Sequence, residues 1–312
     1  MLIQEKYMVF SQIGKGAFGS VFKGIDIETQ EYVAIKFESQ NVSKERLEKE
    51  SQIYTFLKEK HKRRFIPNIY WYGHLQSYNV LIMDRLGPSL ENLVRKYNYT
   101  IHLKTILLLT INLFRILKEI HSLDIIHQDI KPDNFAIGRN KLKKNIYIFD
   151  FGLSKIKENY FQPEKKTNSV LGTIRYASIR AHEGYPLSYR DDFESLMYMI
   201  IYLYNRKLPW QGIPGKSKSD KNQKVLEMKK NIELSQLCYK LPIEYQKIIR
   251  YCRNLEFNEK PKYDILIKII EDRLIGFGFD TKDSYDWSKF KTNSEKNYRK
   301  YLLKKTIKMV NL

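Results

Sequence analysis

The chain has 312 residues, of which 43% are hydrophobic and 13% aromatic, enough for one large core or two lobes and too apolar for a disordered chain. No apolar run approaches the ~18 residues of a membrane span, and candidates such as residues 196–204 read as buried helix. A net charge of +20 suits partners bearing phosphate or carboxylate, including acidic peptides, nucleic acid and anionic lipid, without choosing among them.

Glu5 and Lys6 stand where a secretory signal needs an apolar block. Residues 1–40 read as β-strands around a glycine-rich turn, Ile13-Gly14-Lys15-Gly16-Ala17-Phe18-Gly19-Ser20-Val21. Three glycines let the backbone close over a phosphate with its N–H groups toward the anion. Dinucleotide-binding folds share this spacing, but here a strand follows the last glycine rather than a helix. Val33-Ala34-Ile35-Lys36 then puts an ammonium in an apolar strand, where it needs a partner. Ser43 can cap a helix running to about Glu59, with Leu47, Ile53, Tyr54 and Leu57 as its apolar stripe. Glu50 falls on that stripe; it either snorkels to the surface or pairs with Lys36.

A basic loop over 61–64 leads to strands at 69–74 and 79–83. Gly87-Pro88 breaks the pattern before Ser89, which can cap a helix over 90–96; this is the expected boundary between residues 1–85 and 86–287. From Thr100 the pattern is helical, with Ile106, Leu109, Leu113, Phe114, Leu117 and Ile120 on one face.

The polar loop that follows, His127-Gln128-Asp129-Ile130-Lys131-Pro132-Asp133-Asn134, lies between this helix and strands at 135–137 and 146–149. Asp129 is placed to accept a proton from a hydroxyl, Lys131 to reach a phosphoryl group, and Asn134 to offer an oxygen to a metal ion. With Asp150 in Asp150-Phe151-Gly152, the set fits phosphoryl transfer, where two oxygen ligands hold magnesium and a separate carboxylate orients the nucleophile. A capped β-turn with incidental charges is the plainer alternative.

Residues 154–171 read as a long surface loop, closed by Gly172-Thr173-Ile174-Arg175-Tyr176-Ala177-Ser178. Residues 191–205 are apolar nearly all round, so a buried central helix is expected. Asp192 near its start then needs backbone amides, which the 127–134 loop could supply. Residues 215–221 read as a basic loop, further helices fit 235–238, 243–255 and 263–274, and residues 288–312 form a basic tail. Cys238 and Cys252 have neither metal spacing nor a disulfide framework, so a reducing compartment, cytosol or nucleus, is expected.

The order of motifs resembles a protein kinase: glycine-rich loop, Val-Ala-Ile-Lys, helix Glu, catalytic loop, Asp-Phe-Gly. Several strings are similar to the casein kinase 1 family in particular: Leu86-Gly87-Pro88-Ser89-Leu90, Lys131-Pro132-Asp133-Asn134-Phe135, Arg175-Tyr176-Ala177-Ser178-Ile179, Asp191-Asp192-Phe193-Glu194-Ser195-Leu196 and Leu208-Pro209-Trp210-Gln211-Gly212. The resemblance covers roughly residues 5–287. It implies an α+β bilobal kinase fold, with a small β-rich N-lobe carrying one main helix and a larger helical C-lobe. ATP and Mg²⁺ are the implied cofactors, with the Ser or Thr of acidic or already phosphorylated proteins as acceptor.

By the same resemblance, Lys36 holds the α- and β-phosphates while paired with Glu50. Thr173 braces Asp129 and Lys131, and Asn134 and Asp150 ligate the metal. Ile13, Gly14, Gly16 and Gly19 cover the nucleotide. Adenine lies between Val21, Ala34 and the floor near Ala136, with Met83 as gatekeeper and the backbone of Asp84 and Leu86 at its edge. Arg175 and Lys221 or Lys224 match an anion site for acidic or primed substrates. The chain departs from the family at Gln128, where an arginine is usual, at Arg180, and in a longer loop over 213–220. A pseudokinase scaffold that binds ATP or partners without turnover is the alternative. Nucleic acid is expected only as non-specific binding through the basic surface, and the chain is expected to be a monomer.

Overall fold

The computed structural model describes residues 1–16, 19–40, 46–60, 64–96, 100–157 and 170–289. The expected cap at Ser43, the tip of the glycine-rich turn and nearly all of the basic tail lie outside the described residues.

The β-rich part is one antiparallel sheet of β1 (Leu2–Ile3), β2 (Tyr7–Gly16), β3 (Gly19–Asp26), β4 (Tyr32–Ser39), β5 (Ile69–Leu75) and β6 (Tyr78–Asp84), ordered β1-β2-β3-β4-β6-β5. Register decides what each face does, because strand side chains alternate. Val33, Ile35, Phe37, Val80 and Ile82 form a small core on one face with Ile3 and Tyr7. Val21 opposite Lys36, and Ala34 opposite Met83, fall on the other face, toward the helical part.

Helix α1 (Arg46–Glu59) lies on that second face and buries Leu47, Ile53, Tyr54 and Leu57, with Glu50 among them at 1% exposure. Glu38 at the end of β4 reaches its first turn and accepts from the Leu47 N–H at 3.1 Å. A carboxylate there meets both an orphan amide and the positive end of the helix.

The linker after β6 is tied down by backbone bonds: the Gly87 N–H donates to Ile137 (2.9 Å) and the Ile137 N–H to Pro88 (3.1 Å). Ser89 Oγ accepts from the Asn92 N–H at 3.1 Å, opening one wide helical turn, Asn92–Lys96. Beyond it stand α2 (Leu103–Ser122), the strand pairs β7 (Ile125–Ile126) with β10 (Lys155–Ile156) and β8 (Phe135–Ile137) with β9 (Ile146–Ile148), and helices α3 (Ile179–His182), α4 (Tyr189–Asn205), α5 (Lys218–Asn231), α6 (Leu234–Leu237), α7 (Ile243–Asn254) and α8 (Tyr263–Gly276). Helix α4 is buried along almost its whole length, as its apolar run predicts, and α2 packs against it and α8.

Two expectations need correction. Residues 215–221 are not all loop: α5 begins at Lys218, capped by Ser217 Oγ, which accepts from the Asp220 N–H at 3.1 Å. Ser-x-x-Asp is the start signal here, set among lysines that read as loop. The loop after Gly152 also contributes a short strand, β10, to the pair beside β7. Cys238 and Cys252 are buried and unbridged; burial pushes the Cys238 thiol up to about 12 and raises that of Cys252 as well.

Candidate active site

The loop between β7 and β8 is held from below by one carboxylate. Asp192, in the first turn of α4 and 2% exposed, accepts from the backbone N–H of His127 at 2.6 Å and of Gln128 at 2.8 Å, with His121 Nε2 at 3.2 Å. These are the amides the sequence called for. They fix Gln128 at φ +67°, a left-handed conformation uncommon outside glycine. Gly172 is at φ +81°, and a Cβ there would lie 2.6 Å from the Gln128 carbonyl oxygen. The segment after Gly172 can therefore approach the loop only through a glycine.

Asp129 sits in the middle, 8% exposed. Its Oδ1 accepts from the Thr173 hydroxyl at 2.8 Å and its Oδ2 from Lys131 Nζ at 2.5 Å. Asn134 Nδ2 donates to the Asp129 carbonyl at 2.9 Å and faces Oδ2 at 3.4 Å. The amide nitrogen of Asn134 is thus committed, leaving Oδ1 as the side chain's acceptor for a cation. Phe149 N–H donates to the Asn134 carbonyl at 3.1 Å, which brings Asp150 beside Asn134 at the ends of paired strands.

Lys36 Nζ lies between Glu50 Oε2 at 2.6 Å and Asp150 Oδ1 at 2.8 Å. Burial pulls the ammonium down, but the two carboxylates more than reverse this and hold it above the usual lysine range. Burial pushes the Glu50 carboxyl up to about 7 against the pull of Lys36. Asp150 responds oppositely: burial raises it, and the Lys36 charge and hydrogen bond bring it below its ordinary value. The Asp150 N–H donates to the Tyr54 hydroxyl at 3.2 Å, and Phe151, fully buried, packs edge-on against Tyr54.

Above this triad, Val21, Ala34 and Met83 share the inward face of the sheet, and Ile13 stands half exposed at its edge. Gly14 pairs with Val21 in the sheet register, and a Cβ on Gly16 would meet nothing within 4 Å. A Cβ on Gly19 would fall 2.0 Å from the Phe37 carbonyl oxygen, so here the fold itself demands glycine. Asp84 begins the linker; its N–H donates to Asn68 (2.9 Å) and its carboxylate accepts from Asn68 N–H at 2.8 Å and from the Tyr70 hydroxyl. Leu86 follows in the linker, and Ala136 forms a β-bridge with Ser89 below.

One residue central to the opposite side was not singled out from the sequence. Lys229 of α5 is fully buried and donates to the carbonyls of Ile174 at 2.9 Å and Ala177 at 2.6 Å, with His182 Nε2 at 3.1 Å and the Tyr198 and Trp210 rings around it. Burial pulls its ammonium down to about 7. The only local signal is its position four residues after buried Val225. Lys229→Met should leave two carbonyls unsatisfied and destabilise the protein by about 2–6 kcal/mol, at ~1–3 kcal/mol for each. Urea unfolding of both proteins checks this, and a change within error would show that the carbonyls find other partners.

Arg175 lies in the segment Lys229 holds, and its carbonyl accepts from Trp210 Nε1 at 2.8 Å. Lys221 is exposed, and Lys224 pairs with Asp220 at 3.1 Å. Neither lines the cavity that contains Arg175. Among the described residues no three His, Cys, Asp or Glu converge on a cation site. The donor set at the centre is instead one carboxylate and one amide oxygen, which suits a hard cation completed by water and phosphate oxygens. A buried ammonium–carboxylate couple, a second carboxylate beside an amide, and a separate braced Asp form an arrangement able to position a phosphate chain and a hydroxyl. The model of the protein kinase domain matches residues 7–268, most of the chain. With its β-sheet N-terminal region and helical C-terminal region, the chain belongs to the protein kinase family.

Proposed function

We propose that this kinase is a serine/threonine protein kinase of the casein kinase 1 type, transferring the γ-phosphoryl of ATP to acidic or pre-phosphorylated proteins. The observation that carries the reading is Asp129, braced by Thr173 and Lys131 and standing apart from the Lys36–Glu50–Asp150 triad. In this reading Asp129 takes the proton from the acceptor hydroxyl as it attacks, while Lys131 meets charge on the γ-phosphate. Lys36 steadies the α- and β-phosphates. The adenine lies under Val21, Ala34 and Met83, with its edge on the backbone of Asp84 and Leu86 and the loop of Ile13, Gly14, Gly16 and Gly19 above. Asp150 and Asn134 would hold Mg²⁺, which neutralises phosphate charge when bound. Residues 1–85 and 86–287 act as the two lobes, and Arg175 with the lysines at 221 and 224 attracts acidic substrates, in keeping with the +20 charge.

The test is transfer from Mg·ATP to acidic peptides that differ only in Ser, Thr or Tyr as acceptor. Turnover on Ser or Thr is the expected result. Nucleotide binding without transfer would mark a scaffold instead, and transfer confined to Tyr would overturn the acceptor assignment. Gln128 does not by itself favour the scaffold, because it meets Asp192 through its backbone N–H.

A further inference from the structure

Tyr54 lies on the buried stripe of α1, one turn after Glu50 and 1% exposed. A side chain that only filled the core could as well be phenylalanine, because a buried hydroxyl costs stability unless it is hydrogen-bonded. Here the hydroxyl has a definite partner. It accepts from the Asp150 backbone N–H at 3.2 Å, and among the described residues no other acceptor takes that N–H. The bond links the helix that carries Glu50 to the backbone of the residue assigned to the metal.

The backbone there needs holding. Asp150 is at φ +66°, in the left-handed region that non-glycine residues keep only where their surroundings impose it. On one side, the Phe149 N–H is fixed to the Asn134 carbonyl at 3.1 Å. On the other, Phe151 is fully buried, with the Tyr54 and His127 ring centres each 5.1 Å away. The Phe151 carbonyl also accepts from the Ser154 N–H at 2.9 Å. Both neighbours of Asp150 are thus anchored, and Tyr54 supplies the anchor at Asp150 itself. Lys36 touches Asp150 too, but through Oδ1 at 2.8 Å. That carboxylate is the group the metal reading needs, and Lys36 is the group assigned to the phosphates, so their mutual bond competes with both roles. The Tyr54 bond uses only the backbone N–H and leaves both carboxylate oxygens free to accept.

We infer that the Tyr54 hydroxyl is a positioning group for phosphoryl transfer: it holds the Asp150 backbone so that the carboxylate faces the metal site when Lys36 turns to the nucleotide. The inference rests on the assignment of Asp150 and Asn134 to Mg²⁺, so one of its two readouts needs neither metal nor turnover. The full chain is compared with Tyr54→Phe and Tyr198→Phe. Tyr54→Phe keeps the ring against Phe151 and removes only the hydroxyl. Tyr198→Phe removes an equally buried hydroxyl from α4, bonded to Glu194 and Arg253, and so controls for a general loss of stability. In nucleotide-free protein, hydrogen exchange of a peptide covering 149–153 should be about two- to tenfold faster in Tyr54→Phe than in wild type, the worth of one hydrogen bond. It should be unchanged in Tyr198→Phe. A fluorescent ATP analogue is then titrated with and without Mg²⁺. Wild type should gain affinity from Mg²⁺, Tyr54→Phe should lose about two- to tenfold of that gain, and Tyr198→Phe should keep it. Because the gain is a ratio of two affinities on one protein, a smaller folded fraction does not mimic the result.

Exchange over 149–153 that is equal in Tyr54→Phe and wild type overturns the inference, as does faster exchange with the whole Mg²⁺ gain retained. Wild type that gains nothing from Mg²⁺ refutes the metal assignment, and the inference falls with it. Loss of the gain in Tyr54→Phe, in a protein that transfers phosphate to no peptide, supports the positioning role while refuting the catalytic reading.

Discussion

Asp129→Asn is expected to lower kcat by about 10²–10⁴-fold, the usual worth of a positioned general acid or base, or about 3–5 kcal/mol of barrier. The asparagine keeps the shape of the side chain but cannot take a proton. It also meets the wrong neighbours. Oδ2 accepts from Lys131 Nζ and faces Asn134 Nδ2, while Oδ1 accepts from the Thr173 hydroxyl. The Lys131 ammonium and the Asn134 amide nitrogen donate only, whereas a hydroxyl both donates and accepts. The new amide nitrogen will therefore turn toward Thr173 and leave its oxygen on Lys131. Binding of ATP should survive, since Lys36, Glu50 and Asp150 are untouched. Steady-state kinetics with an acidic Ser peptide, beside a thermal melt, checks this; a loss of less than tenfold would remove Asp129 from the role of base.

Lys36→Met should have two effects, one on turnover and one on stability. It removes the group that joins Glu50 to Asp150, so nucleotide affinity and kcat should both fall. It also leaves Glu50, 1% exposed, without its counter-charge. Breaking a buried pair from one side costs about 3–5 kcal/mol. The carboxyl can relieve part of this by holding a proton, since burial already pushes it up to about 7 with Lys36 present. A folded-state value above the unfolded one stabilises at low pH, and that contribution is lost as pH rises through the folded value. The stability gap between wild type and Lys36→Met should thus widen from about pH 6 to about pH 8, with a slope of up to ~1.4 kcal/mol per pH unit. Denaturant melts at several pH values measure it, and a gap that narrows over this range would show that Glu50 is not the group left exposed to charge.

Much of this arrangement is legible in the chain because neighbouring positions carry it. Alternation in 33–37 and 79–83 separates the two sheet faces, and three-residue spacing from Leu47 through Glu50 to Ile53 puts the carboxylate on the buried stripe. Asp192 is legible for a different reason: an acid in an apolar helix must find donors, and the nearby polar loop has them. What escapes is set by distance along the chain. Lys229 looks like one more cation in a basic helix, and its carbonyl partners lie more than 50 residues earlier. Arg95 and Arg206 meet Arg175 only because the linker turn, α4 and the segment after Gly172 converge. The start of α5 is masked by charge: Ser217 and Asp220 form a cap among lysines that read as loop.

The two thiols of this chain have a practical consequence. Cys238 and Cys252 are 1% and 0% exposed and held protonated by their surroundings, and it is the thiolate that reacts with electrophiles. Native protein should therefore resist maleimide. A cysteine introduced at Leu171, 40% exposed on the approach to Thr173, would then take a fluorophore or spin label with little background. Peptide arrival could be followed in real time on an otherwise unaltered sequence.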